Sequence, residues 1–138
     1  MKQSVKLGSV AGIAIGAHWS ISVILVLIAD ILAATVLPAI APGHSYVAYW
    51  TVAVVVALLF VASLLAHELA HAIVARRNHV PVGSITLWML GGVAELKSDP
   101  PSPRAELRIA VAGPLASLAA AAVLCSPRRA AAPPAARR

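Results

Sequence analysis

The sequence predicts an all-α membrane protein with about three transmembrane helices and a short β-hairpin-like loop between the second and third. Of its 138 residues, 60% are hydrophobic and only 12% are charged, whereas about 45–50% of an ordinary globular chain is apolar. Three apolar runs reach the length of about 20 residues that a membrane-spanning helix needs. A chain of this size fits one domain at most.

The first apolar run extends from Trp19 to about Leu37 and carries a single charge, that of Asp30. Residues 39–41, Ala-Ile-Ala, resemble a signal-peptidase site. A cleavable signal usually ends within about 15–30 residues, so we expect a retained first helix. A proline and a glycine at 42–43 then indicate a short loop.

The second apolar run begins near Tyr46 and ends at two arginines, residues 76–77. The aromatic residues at its start are typical of a membrane interface. Pro81, a few residues beyond the arginines, is a helix stop signal. We therefore expect a long second span.

Residues 82–96 are rich in β-branched and aromatic side chains around Gly91 and Gly92. The glycine pair could supply the two-residue turn of a β-hairpin. A plain loop is the alternative, because short strands give weak sequence signals. As a hairpin, the segment would offer a sheet edge to which a substrate strand can add. The third span follows from about Ala105 to Leu124, after a Ser-Pro start.

The basic residues predict the orientation of the chain. The net charge is +6, but these residues flank the apolar runs instead of forming one patch, so we expect no nucleic-acid partner. The first interhelical loop has no Lys or Arg, whereas the other span ends carry Lys2, Lys6, Arg76, Arg77, Lys97 and Arg104. The positive-inside rule therefore predicts a cytoplasmic N-terminus and cytoplasmic residues 76–106.

The last part of the chain differs in character from the rest. Residues 125–138 are low in complexity and rich in Ala, Pro and Arg, which predicts a disordered tail after a core formed by residues 1–124. Cys125 is the only cysteine. A metal site in this chain must therefore use histidine and carboxylate ligands rather than thiolates.

The run His67-Glu68-Leu69-Ala70-His71 is the strongest functional signal. Residues four apart share one helix face, so His67 and His71 can hold one metal ion together. Glu68 can then reach a metal-activated water without being a ligand. The same pattern occurs by chance on solvated helices of soluble proteins. Here it lies in an apolar run, where an ionisable group costs roughly 2.5–3.5 kcal/mol, and this favours a functional site.

Together with three further segments, this run resembles the site-2 protease family of intramembrane zinc metalloproteases, most closely the bacterial members that carry CBS domains. The matching segments are Ala17-His18-Trp19-Ser20, residues 64–72 with the His-Glu-Leu-Ala-His run, Leu90-Gly91-Gly92-Val93-Ala94, and Ile109-Ala110-Val111-Ala112-Gly113-Pro114. They occur in the family's order over roughly residues 5–120.

The resemblance implies that His67 and His71 bind Zn²⁺ and that Glu68 is the catalytic carboxylate. It also implies that Gly91 and Gly92 belong to a membrane-associated loop near the site. Gly113 and Pro114 are implied to lie on a helix packed beside the site. The implied location is a bacterial cell membrane, with the lipid bilayer and a membrane-anchored protein substrate as partners.

The third zinc ligand departs from the family pattern. Family members continue into an Asn-Pro-x-Pro-x-x-Asp-Gly type motif whose Asp is the third ligand, and this sequence has no such motif. We therefore expect an incomplete core. Asp30 is a candidate for the missing third ligand. It lies eleven residues beyond Trp19, which places it about 16 Å into the membrane, near the level of His67.

These observations favour an intramembrane zinc metalloendopeptidase, truncated in this chain. The alternative is a catalytically inactive membrane module that binds zinc or a protein partner, which the missing ligand favours. A small metal transporter is the third hypothesis, with His18, His44 and His79 near the membrane surfaces. Isolated histidines are more often interfacial residues, so the transporter has the weakest basis. The oligomeric state is not predicted.

Overall fold

The computed structural model describes residues 5–125. In that range lie three long helices and a four-stranded sheet, in the order β1-β2-β3-β4. The elements are β1 Val5–Val10, β2 Ile13–Ala17, α1 Ile21–Ile31, a π-helical segment Leu32–Val36, α2 Leu37–Ile40, α3 Tyr46–Arg77, β3 Val82–Trp88, β4 Gly91–Leu96 and α4 Pro103–Cys125. The prediction of an all-α chain is therefore correct only in part: the three long helices agree with it, whereas the sheet does not. Strands β1 and β2 were not predicted, because β1 is exposed throughout and has no alternating apolar pattern.

Three helical stretches of the described chain are long and apolar enough to cross a membrane: Ile21–Ile40, Tyr46–Arg77 and Pro103–Val123. This confirms the predicted number of spans, and the second begins and ends where the sequence predicts. Ser45 caps α3 by accepting a hydrogen bond from the Ala48 amide at 3.2 Å. Ser102 caps α4 in the same way, accepting from the Ala105 amide at 3.3 Å.

Small residues set the packing of the first span on the second. Ala29 and Ala33 of the first span are buried against Ala53 and Ala57 of α3. Alanine side chains let two helix backbones approach closely, which is a main source of helix association in lipid. The contact involves the first half of α3, which lies far along the helix from His67.

The sheet packs against the second half of α3. Ile13 of β2 forms a buried cluster with Ile85 and Leu87 of β3 and with Ala72 of α3. Strands β1 and β2 form an antiparallel hairpin, β2 pairs in parallel with β3, and β3 pairs antiparallel with β4. The sheet thus lies beside the helical segment that carries the His-Glu-His residues.

Strands β3 and β4 confirm the predicted hairpin between the second and third spans, but its turn differs. Trp88 pairs with Gly91, so Met89 and Leu90 form the two-residue turn and the glycines belong to β4. The prediction of a Gly91-Gly92 turn is therefore wrong. Gly91 has a φ of +148°, a conformation that residues with a Cβ rarely adopt.

The predicted tail is mostly outside the described residues. Cys125 is the last residue of helix α4. Residues 1–4, with Lys2, and residues 126–138 lie outside the described range, so the disorder predicted for the tail stays a prediction.

Candidate metal centre and active site

Two histidine rings of α3 face each other one helical turn apart. The Nε2 atoms of His67 and His71 lie 3.1 Å apart. The ring centroids are 4.7 Å apart and the ring planes are inclined by 75°. The four-residue spacing thus brings one nitrogen atom of each ring close enough to share one metal ion, as the sequence predicts.

Helix α4 holds the outer nitrogen atom of each ring. Nδ1 of His71 donates to the carbonyl oxygen of Ile109 at 2.6 Å. Nδ1 of His67 lies 2.9 Å from Oγ of Ser117. A carbonyl oxygen can only accept, so Nδ1 of His71 carries the proton and Nε2 presents a lone pair. Metal-binding histidines are commonly oriented by such outer hydrogen bonds.

Gly113 brings the backbone of α4 against both rings. A Cβ built on Gly113 would lie 2.5 Å from Nε2 of His67 and closer still to Nε2 of His71. Only glycine therefore avoids an overlap with the two nitrogen atoms. The structure places Gly113 beside the histidines, while Pro114 is exposed on the same helix.

Glu68 lies against the first residues of β4. A Cβ on Gly92 would lie 2.7 Å from Cδ of Glu68, so the absence of a side chain at Gly92 makes room for the carboxylate. One cleft contains this contact and His67. It is lined by Phe60, Ser63, Leu64, His67, Glu68, Leu90, Gly91, Gly92 and Ser117. The hairpin end, the carboxylate and a histidine thus share one opening.

The two Nε2 atoms fit a zinc ion. Zinc binds imidazole nitrogen at about 2.0–2.1 Å, so two such ligands in a tetrahedral site are about 3.3 Å apart. The observed 3.1 Å is close to that separation. Among residues 5–125, no group of three or more His, Cys, Asp or Glu side chains is placed to hold a metal ion. The described part of the chain therefore supplies two ligands.

Asp30 is not brought to the histidines, so its prediction as a third ligand is wrong for this arrangement. It is exposed on α1, in a surface groove with Ser22, Val23, Val26 and Leu27. Ala29 and Ala33 face α3 instead, and they meet it at Ala53 and Ala57. Ala57 precedes His67 by ten residues, about 15 Å along the helix.

The other histidines also lie apart from this centre. Nδ1 of His18 is 2.8 Å from Oγ of Ser20, and Nδ1 of His44 is 3.2 Å from the carbonyl oxygen of Ala41. His79 follows α3 in a turn with a φ of +62°. No cluster of metal ligands forms at any of these three in the described chain, which leaves the transporter hypothesis without structural support.

The two α4 groups that orient the histidine rings, the Ile109 carbonyl and the Ser117 hydroxyl, were not predicted from the sequence. Ile109, Gly113 and Ser117 are spaced by four residues and therefore share one face of α4. That spacing is the sequence signal for a face packed on the His-Glu-His helix. Ser117 was not predicted as a site residue, whereas in the structure its hydroxyl contacts His67.

Comparison with known proteins identifies the family. The pattern of Peptidase family M50 matches residues 55–126. Rip3 of Mycobacterium tuberculosis, a protein named as a candidate zinc metalloprotease, is 48% identical over 122 residues, which are 88% of this chain and 31% of Rip3. Zinc metalloprotease MJ0392 of Methanocaldococcus jannaschii is 43% identical over 76 residues, 55% of this chain and 21% of that protein.

A solved structure has a similar fold. The site-2 protease from Methanocaldococcus jannaschii superposes with a TM-score of 0.60 and 31% identity, over 87% of this chain and 49% of that one. The present chain spans less than a third of the length of the two curated relatives that it matches. With the family pattern over more than half of its residues, the chain belongs to peptidase family M50, the site-2 proteases.

Proposed function

We propose that this chain supplies the zinc-binding histidines and the catalytic carboxylate of an intramembrane zinc metalloendopeptidase that cleaves membrane-anchored proteins. The observation that carries the proposal is the convergence of Nε2 of His67 and Nε2 of His71, 3.1 Å apart, beside a cleft that contains Glu68. Membership of family M50 and the printed names of the relatives support the same chemistry.

Each residue has a distinct role in this proposal. His67 and His71 hold the zinc ion through Nε2, while Ser117 and the Ile109 carbonyl keep the rings in place. When bound, zinc polarises the scissile carbonyl and makes a water molecule more acidic. Glu68 accepts a proton from the attacking water and delivers it to the leaving amine as the C–N bond breaks. One water is consumed, and a new carboxyl and a new amino terminus form.

The substrate would enter as an extended strand. A helical backbone hides its carbonyl groups in hydrogen bonds, so a spanning helix must unwind before hydrolysis. Strand β4 forms one edge of the described sheet, and a strand added there would pass Gly91 and Gly92 next to Glu68. Backbone hydrogen bonds to an edge strand bind peptides without requiring one sequence, which suits a protease of membrane anchors.

The proposed location is a bacterial cell membrane, with the N-terminus and residues 76–106 in the cytoplasm. Support comes from the Lys and Arg residues that flank these segments and are absent from the first interhelical loop. The three apolar helices support insertion in the bilayer. The site would then lie within the bilayer, about 8–14 Å along α3 from Arg76.

The test is a comparison of metal content and peptide cleavage in the full chain purified in detergent with zinc. A His67→Ala, His71→Ala double variant should lose the zinc that copurifies with the chain. His44→Ala is the matched control, because His44 lies in the exposed loop before α3, and it should keep the metal. The proposal is refuted if the double variant and the control contain equal zinc.

A second candidate function is a module that binds zinc or a protein partner without hydrolysis. It is favoured by the finding that residues 5–125 supply two ligands rather than the three of most catalytic zinc sites. The same preparation distinguishes the two. Zinc binding with no cleavage above the Glu68→Gln background supports the non-catalytic module, whereas turnover above that background supports the peptidase.

A further inference from the structure

The segment between β2 and α1 bonds to the end of the β3-β4 hairpin. The backbone amide of His18 donates to the carbonyl oxygen of Leu87 at 2.7 Å. Two residues later, Oγ of Ser20 accepts a hydrogen bond from the Met89 amide at 3.2 Å. Met89 is the first residue of the hairpin turn, so these two bonds hold the turn to a segment that lies far earlier in the chain.

Ser20 is the N-cap residue of α1, but its side chain is used elsewhere. An N-cap serine usually accepts a hydrogen bond from the first turn of its own helix. Within residues 5–125, the Ser20 side chain makes no such capping bond, although the residue is only 9% exposed. A buried hydroxyl group needs hydrogen-bond partners. Here the partners are the Met89 amide and the ring of His18.

His18, Ser20 and Met89 form a hydrogen-bond chain with one direction. The Ser20 amide donates to Nδ1 of His18 at 3.3 Å, so this nitrogen atom carries a lone pair and no proton. Oγ of Ser20 lies 2.8 Å from the same Nδ1 and therefore donates its proton to it. The His18 ring thus fixes the rotation of the hydroxyl group, whose oxygen lone pair is left to face the Met89 amide.

The turn that Ser20 holds is next to the cleft that contains Glu68. Leu90, the second turn residue, lines that cleft together with Gly91 and Gly92. Leu90 is 74% exposed, so burial of its own side chain does not keep the turn in place. A Cβ on Gly92 would lie 2.7 Å from Cδ of Glu68, so a small shift of the hairpin changes the room beside the carboxylate.

We propose that His18 and Ser20 are positioning residues, which hold the hairpin turn through the Ser20 hydroxyl group and thereby keep Gly92 against Glu68. The hydrogen-bond chain does not depend on hydrolysis. Its value for holding a peptide at the edge of β4 rests on the proposed function.

Hydrogen exchange of the Met89 amide, followed by NMR on the full chain in detergent with zinc, tests the contact. Ser20→Ala should raise the exchange rate about 2-fold to 12-fold, the range expected for the loss of one hydrogen bond. Ser20→Thr should exchange as the parent chain does, because it keeps the hydroxyl group. Ser84→Ala is the matched control. It removes a hydroxyl group of the same hairpin that lies 3.3 Å from Oε2 of Glu95, and it should leave the Met89 exchange rate unchanged.

A second pair of variants distinguishes the hydrogen bond of His18 from the packing of its ring. Leucine and asparagine branch at the same carbon atom and have similar shapes, but only asparagine offers an acceptor near the position of Nδ1. His18→Leu should raise the Met89 exchange rate, and His18→Asn should not. In the Ser20→Ala chain, His18→Leu should have no further effect, because His18 acts through the hydroxyl group.

Zinc affinity and peptide cleavage connect the contact with the site. Ser20→Ala and His18→Leu should bind zinc as the parent chain does, because α4 holds the two metal-binding rings. In cleavage of a membrane-anchored fluorogenic peptide, each should raise KM about 2-fold to 12-fold with little change in kcat. The hairpin contributes to peptide binding, whereas the His-Glu-His residues stay in place on α3.

Parental exchange of the Met89 amide in Ser20→Ala would overturn the proposal. Equally raised exchange in His18→Leu and His18→Asn would do so as well, because it would assign the effect to packing. A fall in kcat at unchanged KM would contradict the role in peptide positioning. The proposed peptidase function fails separately: a parent chain without zinc or turnover contradicts that function, while the exchange rates still decide whether the hydrogen-bond chain holds the hairpin.

Discussion

Replacing Gly113 by alanine should abolish zinc binding while leaving the three helices inserted. The added Cβ would lie 2.5 Å from Nε2 of His67 and nearer still to Nε2 of His71. A zinc ion must lie about 2.0–2.1 Å from both of these nitrogen atoms. The methyl carbon therefore overlaps both ligand atoms, and the two rings must move away from it and from the separation that suits a zinc ion.

The size of the effect follows from the distances. Ordinary van der Waals contact begins at 3.4 Å, so the His67 ring must retreat by about 0.9 Å, whereas metal–ligand distances tolerate about 0.2 Å. Disturbing only the outer partners of a ligand usually lowers metal affinity about 10–100-fold. Because Gly113→Ala displaces the ligands themselves, we expect a loss of at least about 100-fold, or about 2.7 kcal/mol.

The assay is zinc competition against a chromophoric chelator in detergent, with total metal content as a second readout. Ala119→Val is the control, because Ala119 is exposed on the same helix and the change adds bulk away from the histidines. The control should bind zinc as the parent chain does. Parental zinc affinity in Gly113→Ala would refute the geometry inferred for the two Nε2 atoms.

The other predictions concern Glu68 as the proton acceptor, the hydrogen bond between Ser117 and His67, and the orientation of the chain in the membrane. Glu68→Gln should keep its zinc and lose any peptide cleavage, because the carboxylate acts on water rather than on the metal; loss of metal, measured by elemental analysis, would contradict this. Ser117→Ala should weaken zinc about 10–100-fold by removing the partner of His67, as chelator competition would measure, and an unchanged affinity would argue against that role. Cysteines at Ser45 and Ser98, in a Cys125→Ser chain, should react with an impermeant reagent from opposite sides of the membrane. Equal labelling of both from outside intact cells would rule out the proposed topology.

The histidine pair could be predicted because both residues lie in one short segment of the chain. His67 and His71 lie on one continuous helix, whose period alone sets their separation. The ends of α3 were also predictable, since aromatic residues begin it and arginines end it. The hairpin of β3 and β4 gave a local signal as well, although the position of its turn was assigned wrongly to the glycines.

Other features depend on contacts that the sequence does not show. Every residue of β1 is exposed, so that strand lacks the alternation of a half-buried strand. Ile13 of β2 is buried because β3 and Ala72 of α3 pack on it, and both are distant from it in the sequence. For Asp30, the helix rise gave its depth but not the direction of its side chain. That direction is set by Ala29 and Ala33, which are small enough to meet α3.

The parallel pairing of β2 with β3 constrains how the protein is assembled. Ile15 pairs with Ile85, and both spans Ile21–Ile40 and Tyr46–Arg77 lie between these residues in the chain. Two strands can pair only on one side of a bilayer, so an even number of crossings must separate them. During synthesis, both helices are made after β2 and before β3. The parallel pair that joins the two hairpins of the sheet can therefore form only after both helical segments have been made.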